Sequence, residues 1–168
     1  MRTAVCSGSF DPITLGHLNI IRRAAAVFDR VVVCVAPNAE KGTQMFTPEE
    51  KLRLVRVAAA DLPNVSAECW PGVLAEFAHR CGAAVIIRGV RNSTDFDAEY
   101  QMACINRDVC SGLETLLLPA APEYQHISSS MAREMIRYHQ PLERYLPAAV
   151  LPLIHEMNKG GKDNGQCR

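Results

Sequence analysis

The sequence is short of the features that would take it outside ordinary globular proteins. No uninterrupted apolar run approaches the roughly 20 residues that a membrane-spanning helix needs. The first apolar run meets a glycine at position 8, too early for the apolar region of a signal peptide. Lys plus Arg and Asp plus Glu are both 18, so there is no net positive charge to hold nucleic acid. We therefore expect a cytoplasmic protein that binds neither a membrane nor a nucleic acid.

The sequence also lacks the usual motifs of metal binding, phosphate binding and covalent catalysis. Its seven cysteines form no CxxC pair, which is typical of buried thiols in a reducing compartment. There is no short-spaced pair of zinc ligands, no G-x-x-x-x-G-K-[ST] loop and no G-x-G-x-x-G after the first strand. Nothing suggests a Ser-His-Asp or Cys-His nucleophile. Any bound anion must therefore be held by local cations and backbone dipoles.

What the sequence does contain is a regular alternation of strand and helix patterns. We predict strands at residues 3–6, 31–36, 65–69, 84–87 and 113–118, and helices at 15–28, 48–60, 73–80, 95–109, 129–138 and 148–157. This order predicts an α/β fold with a doubly wound five-stranded parallel sheet, helices on both faces and C-terminal helices. We expect residues 1–158 to form a single domain and residues 159–168, which have no apolar period, to be a disordered tail.

The segment after the first predicted strand carries the strongest functional signal. Residues 8–17 read GSFDPITLGH, in which a glycine that allows close backbone approach is followed by the start of a helix. The amides and the dipole of a helix N-terminus favour phosphate. A cationic or hydrogen-bond-donating His17 beside a triphosphate could stabilise charge on the transferred phosphorus. Alone, His17 would be read as an ordinary helix-start residue, but the whole pattern directly after a strand favours function.

Cations follow the second and fourth predicted strands. Lys41 lies in a loop after the second strand, and Arg88 and Arg91 follow the fourth. An arginine at the carboxyl end of a buried strand is unfavourable unless it meets an anion, and a guanidinium can bind phosphate through two parallel hydrogen bonds. We therefore place Arg88 in the site, whereas Lys41 could as well be a solvated loop residue.

A serine cluster and an acidic cluster complete the candidate residues. Residues 126–133 read HISSSMAR, and three serines at a helix start offer hydroxyls and free amides to a phosphate chain. N-capping of the helix alone would need only one of the three serines. Arg133, four residues after Ser129, is either a solvated helix charge or a further phosphate ligand. Asp95 and Asp97 fit an exposed first helical turn, and the role of Glu99 stays open.

Together these segments resemble a known family. GSFDPITLGH at 8–17 and ISSS at 127–130 resemble the T/HxGH nucleotidyltransferase superfamily, and RGVR at 88–91 with DF at 95–96 resembles bacterial phosphopantetheine adenylyltransferases. The resemblance implies a Rossmann-like fold and a homohexamer. It also implies adenylyl transfer from ATP to 4′-phosphopantetheine, with Mg²⁺, as the penultimate step of coenzyme A biosynthesis. Coenzyme A would then be a candidate feedback inhibitor.

The resemblance assigns the site residue by residue. It implies that phosphopantetheine contacts Ser9, Lys41, Leu74 and Arg88. It implies that ATP contacts Ser9, Phe10, His17, Gly89, Val90, Arg91, Glu99, Tyr124, Gln125, His126, Ile127, Ser128, Ser129 and Ser130. The catalytic residues would be His17, Lys41 and Arg88, with His17 stabilising the transition state. The acceptor phosphate is already an anionic nucleophile, so direct in-line attack needs no covalent intermediate, and the ATP phosphates would carry the Mg²⁺ without protein ligands.

The sequence departs from the family pattern at three places. Ser9 stands where threonine is usual, which keeps the hydroxyl. Cys6 and Ser7 stand where Tyr-Pro is common, and Ala98 stands where an aromatic residue is frequent. These departures affect local binding contacts more than the reaction.

Other functions stay open at this point. A nicotinamide-mononucleotide adenylyltransferase or a glycerol-phosphate cytidylyltransferase belongs to the same superfamily, but these usually carry a first histidine where this sequence has Thr14. A non-catalytic nucleotide-binding module is the alternative from another class. Such a module would have no reason to keep His17, Lys41 and Arg88 together.

Overall fold

The computed structural model of the chain describes residues 2–36 and 44–160, with side chains as far as residue 158. Lys41 and residues 161–168 of the predicted tail lie outside the described residues. The described chain forms five strands: β1 (Thr3–Gly8), β2 (Arg30–Val35), β3 (Val65–Cys69), β4 (Val85–Val90) and β5 (Glu114–Pro119). They make one parallel sheet in the order β3-β2-β1-β4-β5, which confirms the predicted doubly wound α/β fold.

The predicted helices are all present. They are α1 (Leu15–Val27), α2 (Pro48–Ala58), α3 (Leu74–Arg80), α4 (Ser93–Val109), α5 (Ser129–Arg137) and α6 (Leu151–Gly160). α4 begins two residues earlier than predicted, because the Asn92 side chain accepts a hydrogen bond from the Asp95 amide and caps the helix. The last helix follows a 3₁₀ turn at Ala148–Val150 and continues to Gly160, so it includes the first two residues of the predicted tail.

Helices cover both faces of the sheet, because successive side chains of the buried strands point to opposite faces and both sets are apolar. Val31 and Val33 of β2 point to one face and pack in a core with residues of α1, α2, α5 and α6. Val32 and Cys34 point to the other face, where Phe77 of α3 is fully buried. Because β2 contributes to both cores, it reads as a continuous apolar run rather than an alternating one.

The cysteines partly match the prediction of buried thiols. Six of them lie among the described residues and all are free. Cys6 and Cys34 are buried, and burial raises the pKa of each thiol to about 12. Cys104 is exposed, so the prediction is wrong at that position. The two core thiols stay protonated at neutral pH and pack as small apolar groups.

Strands β1 and β4 end later than predicted, so that residues expected in the following loops lie in the strands. β4 continues through Arg88 and Gly89, which pair with Leu117 and Leu118 of β5, so these residues belong to the strand instead of following it. A Cβ at Gly89 would lie 2.9 Å from Cγ1 of Ile20. The missing side chain therefore lets α1 pack closely over the end of β4.

The sheet has its topological switch point between β1 and β4. The chain leaves β1 towards β2 on one side, and β4 pairs with β1 on the other side. Ligands of doubly wound sheets bind outside the carboxyl ends of strands at such a point. In the part of the chain that the structure describes, no helix is long and apolar enough to cross a membrane.

Candidate active site

Two cavities meet at the carboxyl ends of β1 and β4. The first has a volume of about 400 Å³ and lies towards the N-termini of α1 and α5. The second has a volume of about 600 Å³ and lies towards Trp70, α3 and α4. Five residues line both cavities: Ser7, Gly8, Ser9, Arg88 and Glu99. We call these five residues the shared wall.

His17 is held in the first cavity by the cap of its own helix. The Thr14 hydroxyl accepts a hydrogen bond from the His17 amide at 3.3 Å, and the Thr14 amide donates to Nδ1 of His17 at 3.1 Å. An Nδ1 that accepts an N–H carries no proton, so the neutral ring must hold its proton on Nε2. The ring stands edge-on to Phe10, with centroids 5.1 Å apart. The cap therefore fixes both the orientation and the tautomer of the imidazole.

The surroundings of His17 keep it neutral. Burial and, to a smaller extent, the positive charges of Arg88 and Arg91 together lower the pKa of His17 from 6.5 to about 4. The sequence left open a cationic or a hydrogen-bond-donating imidazole. The structure supports the neutral donor, which presents Nε2–H to the cavity.

Arg88 is engaged by a carboxylate in the shared wall. Its Nε donates to Oε2 of Glu99 at 2.7 Å and its Nη2 to Oε1 at 2.5 Å, a two-pronged ion pair. Its Nη1 donates to the Ser7 hydroxyl at 2.8 Å and to the Ser7 carbonyl. The expectation that Arg88 needs an anion is correct, but the anion in the structure is Glu99. Ser7 therefore supports Arg88 through both its hydroxyl and its carbonyl.

A second charged group, which the sequence did not reveal, centres on Asp11. Asp11 is buried and accepts hydrogen bonds from the amides of Met45 and Phe46 at 3.1 and 3.0 Å. Nη1 of Arg133 donates to the Asp11 carbonyl at 2.8 Å and lies 3.4 Å from Oδ2. Nζ of Lys51 lies 3.6 Å from Oδ1, and the Lys51 side chain is 0% exposed. The group we call the Asp11 cluster consists of Asp11, Lys51 and Arg133.

Lys51 could have been found from helical spacing. It lies on the buried face of α2, in register with the apolar residues Leu54, Val55 and Ala58 at i+3, i+4 and i+7. A lysine at an apolar-face position is unusual, since lysine is almost never fully buried without a partner.

The three serines at the start of α5 have three different partners. Ser128 caps the helix, because its hydroxyl accepts from the Met131 amide at 3.1 Å. The Ser129 hydroxyl donates to the Pro12 carbonyl at 2.8 Å, which joins α5 to the loop after β1. The Ser130 hydroxyl accepts from Nη2 of Arg133 at 3.0 Å. Arg133 is therefore a cavity residue and not a solvated helix charge.

Most of the predicted contact residues lie on the two cavities. The first is lined by Ser9, Phe10, His17, Arg88, Gly89, Arg91, Glu99, Tyr124, Ile127, Ser128, Ser129 and Ser130. The second is lined by Leu74 together with Ser9 and Arg88. Val90, Gln125 and His126 are not among the described residues that line either cavity. Lys41, the remaining predicted contact residue, lies outside the described residues.

Arg91 and Asp95 form a further ion pair on the first cavity. Nε of Arg91 donates to Oδ2 of Asp95 at 2.8 Å, and this hydrogen bond holds the pKa of Asp95 below its ordinary value. Nη1 of Arg91 also donates to the Ile127 carbonyl at 3.3 Å. The helix-dipole explanation of Asp95 was therefore incomplete, because the carboxylate also positions Arg91 beside the residues before α5.

The second cavity is largely apolar with a few polar groups. Its apolar lining comes from Trp70, Val73, Leu74, Met102 and Ile105. Besides the shared wall, its polar lining includes Asn106, which is buried, and Thr115, whose Oγ1 is buried with no hydrogen-bond partner in the described chain. Such a lining suits an extended ligand that is mostly apolar and carries a few hydrogen-bonding groups.

Comparisons with known proteins agree in family and fold. Residues 5–135 match the family model described as cytidylyltransferase-like. The chain is 46% identical over 156 residues to a phosphopantetheine adenylyltransferase of Symbiobacterium thermophilum, covering 93% of this chain and 96% of that protein. It is 43% identical over 163 residues to a phosphopantetheine adenylyltransferase of Rhizorhabdus wittichii, covering 96% and 98%.

A solved structure supports the fold alone. The crystal structure of a candidate nicotinate-nucleotide adenylyltransferase from Vibrio parahaemolyticus superposes with a TM-score of 0.66 and covers 95% of this chain and 93% of that one. The two sequences are 17% identical, so the likeness extends to the arrangement of strands and helices only.

We predict that His17 titrates far below an ordinary histidine in the protein without ligands. Ring NMR should show an inflection near pH 4 and a proton on Nε2 at pH 7, because burial disfavours the cation. The folded pKa lies below the unfolded one, so His17 contributes stability above pH 6.5 that is lost as the pH falls towards 4.

Two further measurements make this titration decisive. In urea the same ring should titrate at its ordinary value, and in Arg91→Met the folded pKa should rise, since one positive neighbour is gone. An inflection near 6.5 in the folded protein, or a proton on Nδ1 at neutral pH, would contradict the assignment.

Proposed function

This chain belongs to the phosphopantetheine adenylyltransferase family, and we propose that it transfers an adenylyl group from ATP to 4′-phosphopantetheine, forming dephospho-coenzyme A and releasing pyrophosphate. The observation that carries the proposal is the 46% identity over 93% of the chain to a relative with that name. The reaction is the penultimate step of coenzyme A biosynthesis, and we assign it to the cytoplasm.

The two cavities suggest where each substrate binds. We assign ATP to the first cavity, which offers the N-termini of α1 and α5 and the guanidinium groups of Arg91 and Arg133 to a polyphosphate. We assign the pantetheine arm to the second cavity, whose apolar walls and buried Asn106 suit a chain with amide groups. The acceptor phosphate would then lie at the shared wall, beside Ser9 and Arg88, next to the α-phosphorus of ATP.

The residues of the site would act by alignment and charge neutralisation. The acceptor phosphate attacks the α-phosphorus, the bond to the pyrophosphate breaks, and no proton has to be removed from the nucleophile. Nε2–H of His17 would donate to the oxygens that gain charge in the transition state. Arg88 would hold the acceptor phosphate, and Lys41, which lies outside the described residues, remains a predicted partner of the same phosphate.

Mg²⁺ is proposed as a companion of the ATP phosphates. The described residues contain no group of three or more His, Cys, Asp or Glu side chains that could hold a metal. The carboxylates on the first cavity, Asp11, Asp95 and Glu99, are each engaged by a lysine or arginine. We therefore assign Mg²⁺ no protein ligands; bound by ATP, it would supply charge neutralisation on the phosphates.

We propose that the active enzyme is a homohexamer. On α4, the aromatic side chains of Phe96 and Tyr100 lie one turn apart, are 48% and 59% exposed, and stack with ring centroids 6.3 Å apart. Such an exposed apolar pair supports a subunit interface on this face of the helix. Coenzyme A contains both an adenosine part and a pantetheine part, so it could occupy both cavities and act as a feedback inhibitor.

The reaction is tested by measuring pyrophosphate release. With ATP, the purified chain should release pyrophosphate on addition of 4′-phosphopantetheine, and not with nicotinamide mononucleotide or with glycerol phosphate and CTP. His17→Ala should lower turnover by about two or more orders of magnitude, because a preorganised hydrogen-bond donor to the transition state is lost.

The control for this substitution is His155→Ala, on the exposed side of α6, which should leave turnover unchanged. If pyrophosphate is released with another acceptor and not with 4′-phosphopantetheine, the proposed acceptor is wrong. Near-normal turnover in folded His17→Ala would remove His17 from the mechanism.

We predict that Glu99 competes with the acceptor phosphate for Arg88. In Glu99→Gln, 4′-phosphopantetheine should bind about threefold to tenfold more tightly without ATP, because one negative charge leaves the phosphate site. Trp70, the single tryptophan of the chain, lines the second cavity and supplies a fluorescence signal for this titration.

Asp97→Asn is the matched control, since Asp97 is exposed on the same helix and does not line the described cavities. Weaker binding to Glu99→Gln would indicate the opposite role. Glu99 would then hold Arg88 in the position that the phosphate needs.

We predict that the face of α4 that carries Phe96 and Tyr100 mediates assembly. Wild-type protein should sediment as a hexamer, and Phe96→Asp/Tyr100→Asp should shift it to smaller species, because two charges would be buried at the interface. Val27→Asp, an exposed apolar position on α1, should not change the assembly. A monomeric wild-type protein at micromolar concentration would overturn the proposal.

A further inference from the structure

Lys51 is a buried lysine that none of the proposed catalytic steps uses. Its side chain is 0% exposed, yet it lines the first cavity. Its Nζ donates to Oε1 of Gln44 at 2.8 Å and lies 3.6 Å from Oδ1 of Asp11, which is long for a hydrogen bond. Since burying an ammonium group is strongly unfavourable without compensation, its place beside the cavity calls for an electrostatic explanation.

The charges on the first cavity do not cancel. Among the described lining residues there are four cations, Lys51, Arg88, Arg91 and Arg133, and three carboxylates, Asp11, Asp95 and Glu99. Two of the carboxylates are paired with one arginine each. Asp11 is shared by two cations, so the excess positive charge lies at the Asp11 cluster.

The excess charge lies where phosphates would meet a helix N-terminus. The guanidinium of Arg133 bonds the Ser130 hydroxyl and the Asp11 carbonyl, so it stands at the start of α5. If Arg133 were the sole cation beside Asp11, the carboxylate would cancel most of its attraction for an anion. With Lys51 present, the carboxylate is already balanced.

We propose that Lys51 is a positioning residue for the leaving pyrophosphate: its ammonium neutralises Asp11, so that the positive charge of Arg133 remains available to the phosphates. The inference rests on the proposed function for the identity of the ligand. Lys51 itself acts through Asp11 and Arg133 rather than by touching the phosphates.

Calorimetric titration of the full chain with inorganic pyrophosphate, and separately with adenosine, tests the inference. Lys51→Met keeps the length of the side chain and removes the charge. It should weaken pyrophosphate binding by about 10- to 100-fold, as the loss of one nearby unit charge predicts, and leave adenosine binding unchanged. Lys51→Arg keeps the charge and should restore most of the affinity. Arg53→Met, an exposed position on the same helix, is the matched control and should bind both ligands like wild type.

The double variant separates charge balance from direct contact. In Lys51→Met/Asp11→Asn both charges are gone, and pyrophosphate affinity should return close to the wild-type value. A direct phosphate contact or a purely structural role predicts instead that the double variant is as weak as Lys51→Met. If Lys51→Met does not fold, Asp11→Asn alone decides the matter: it should bind pyrophosphate more tightly than wild type.

Three results would each overturn the inference. They are wild-type pyrophosphate affinity in folded Lys51→Met, no recovery of affinity in the double variant, and weaker pyrophosphate binding to Asp11→Asn. The proposed function fails on a different measurement. Because these titrations need neither acceptor nor turnover, a chain that releases no pyrophosphate from ATP would contradict the reaction, while the effect of Lys51 on the charge of the Asp11 cluster would still be measured.

Discussion

The site depends on one physical constraint: cations that lie beside an apolar sheet must be stabilised by partners of opposite charge. A polyphosphate site without a glycine-rich phosphate loop needs cations, and cations at the ends of buried strands lose hydration and need partners. The four cations that line the first cavity are accordingly paired with carboxylates: Arg88 with Glu99, Arg91 with Asp95, and both Lys51 and Arg133 with Asp11. The pairing stabilises these charges in the unliganded chain.

The same pairing links the two cavities. Arg88 and Glu99 belong to the shared wall, so a ligand that draws on either side chain in one cavity changes the charge that the other cavity presents. The Ser7 hydroxyl contributes a further bond to Arg88. The side chain at position 7 therefore supports a residue of the shared wall directly.

His17 shows how a helix cap can set the tautomer of a histidine in a cavity. The Thr14 amide donates to Nδ1 of His17, so the contact that caps α1 also leaves the ring proton on Nε2. Nearby arginines and burial keep the ring neutral. The closeness of α1 to β4 depends in turn on Gly89, whose missing side chain gives Ile20 its room. Capping, packing and electrostatics thus act together on one imidazole.

The order and type of the elements could be read from the sequence, because apolar periodicity and helix caps are local. That is why the parallel five-stranded sheet and all six helices were predicted. The boundary errors include the start of α4, where Asn92 supplies a cap, and the end of β4, where strand pairing decides the boundary. The motif residues Ser9, His17 and Ser128 could also be found, since each follows a strand or begins a helix. The partners of the charged residues could not be found. Which carboxylate meets Arg88, and that Lys51 lies buried beside Asp11, depend on contacts between residues 11 and 40 positions apart, which only the folded chain brings within range of a Coulomb interaction.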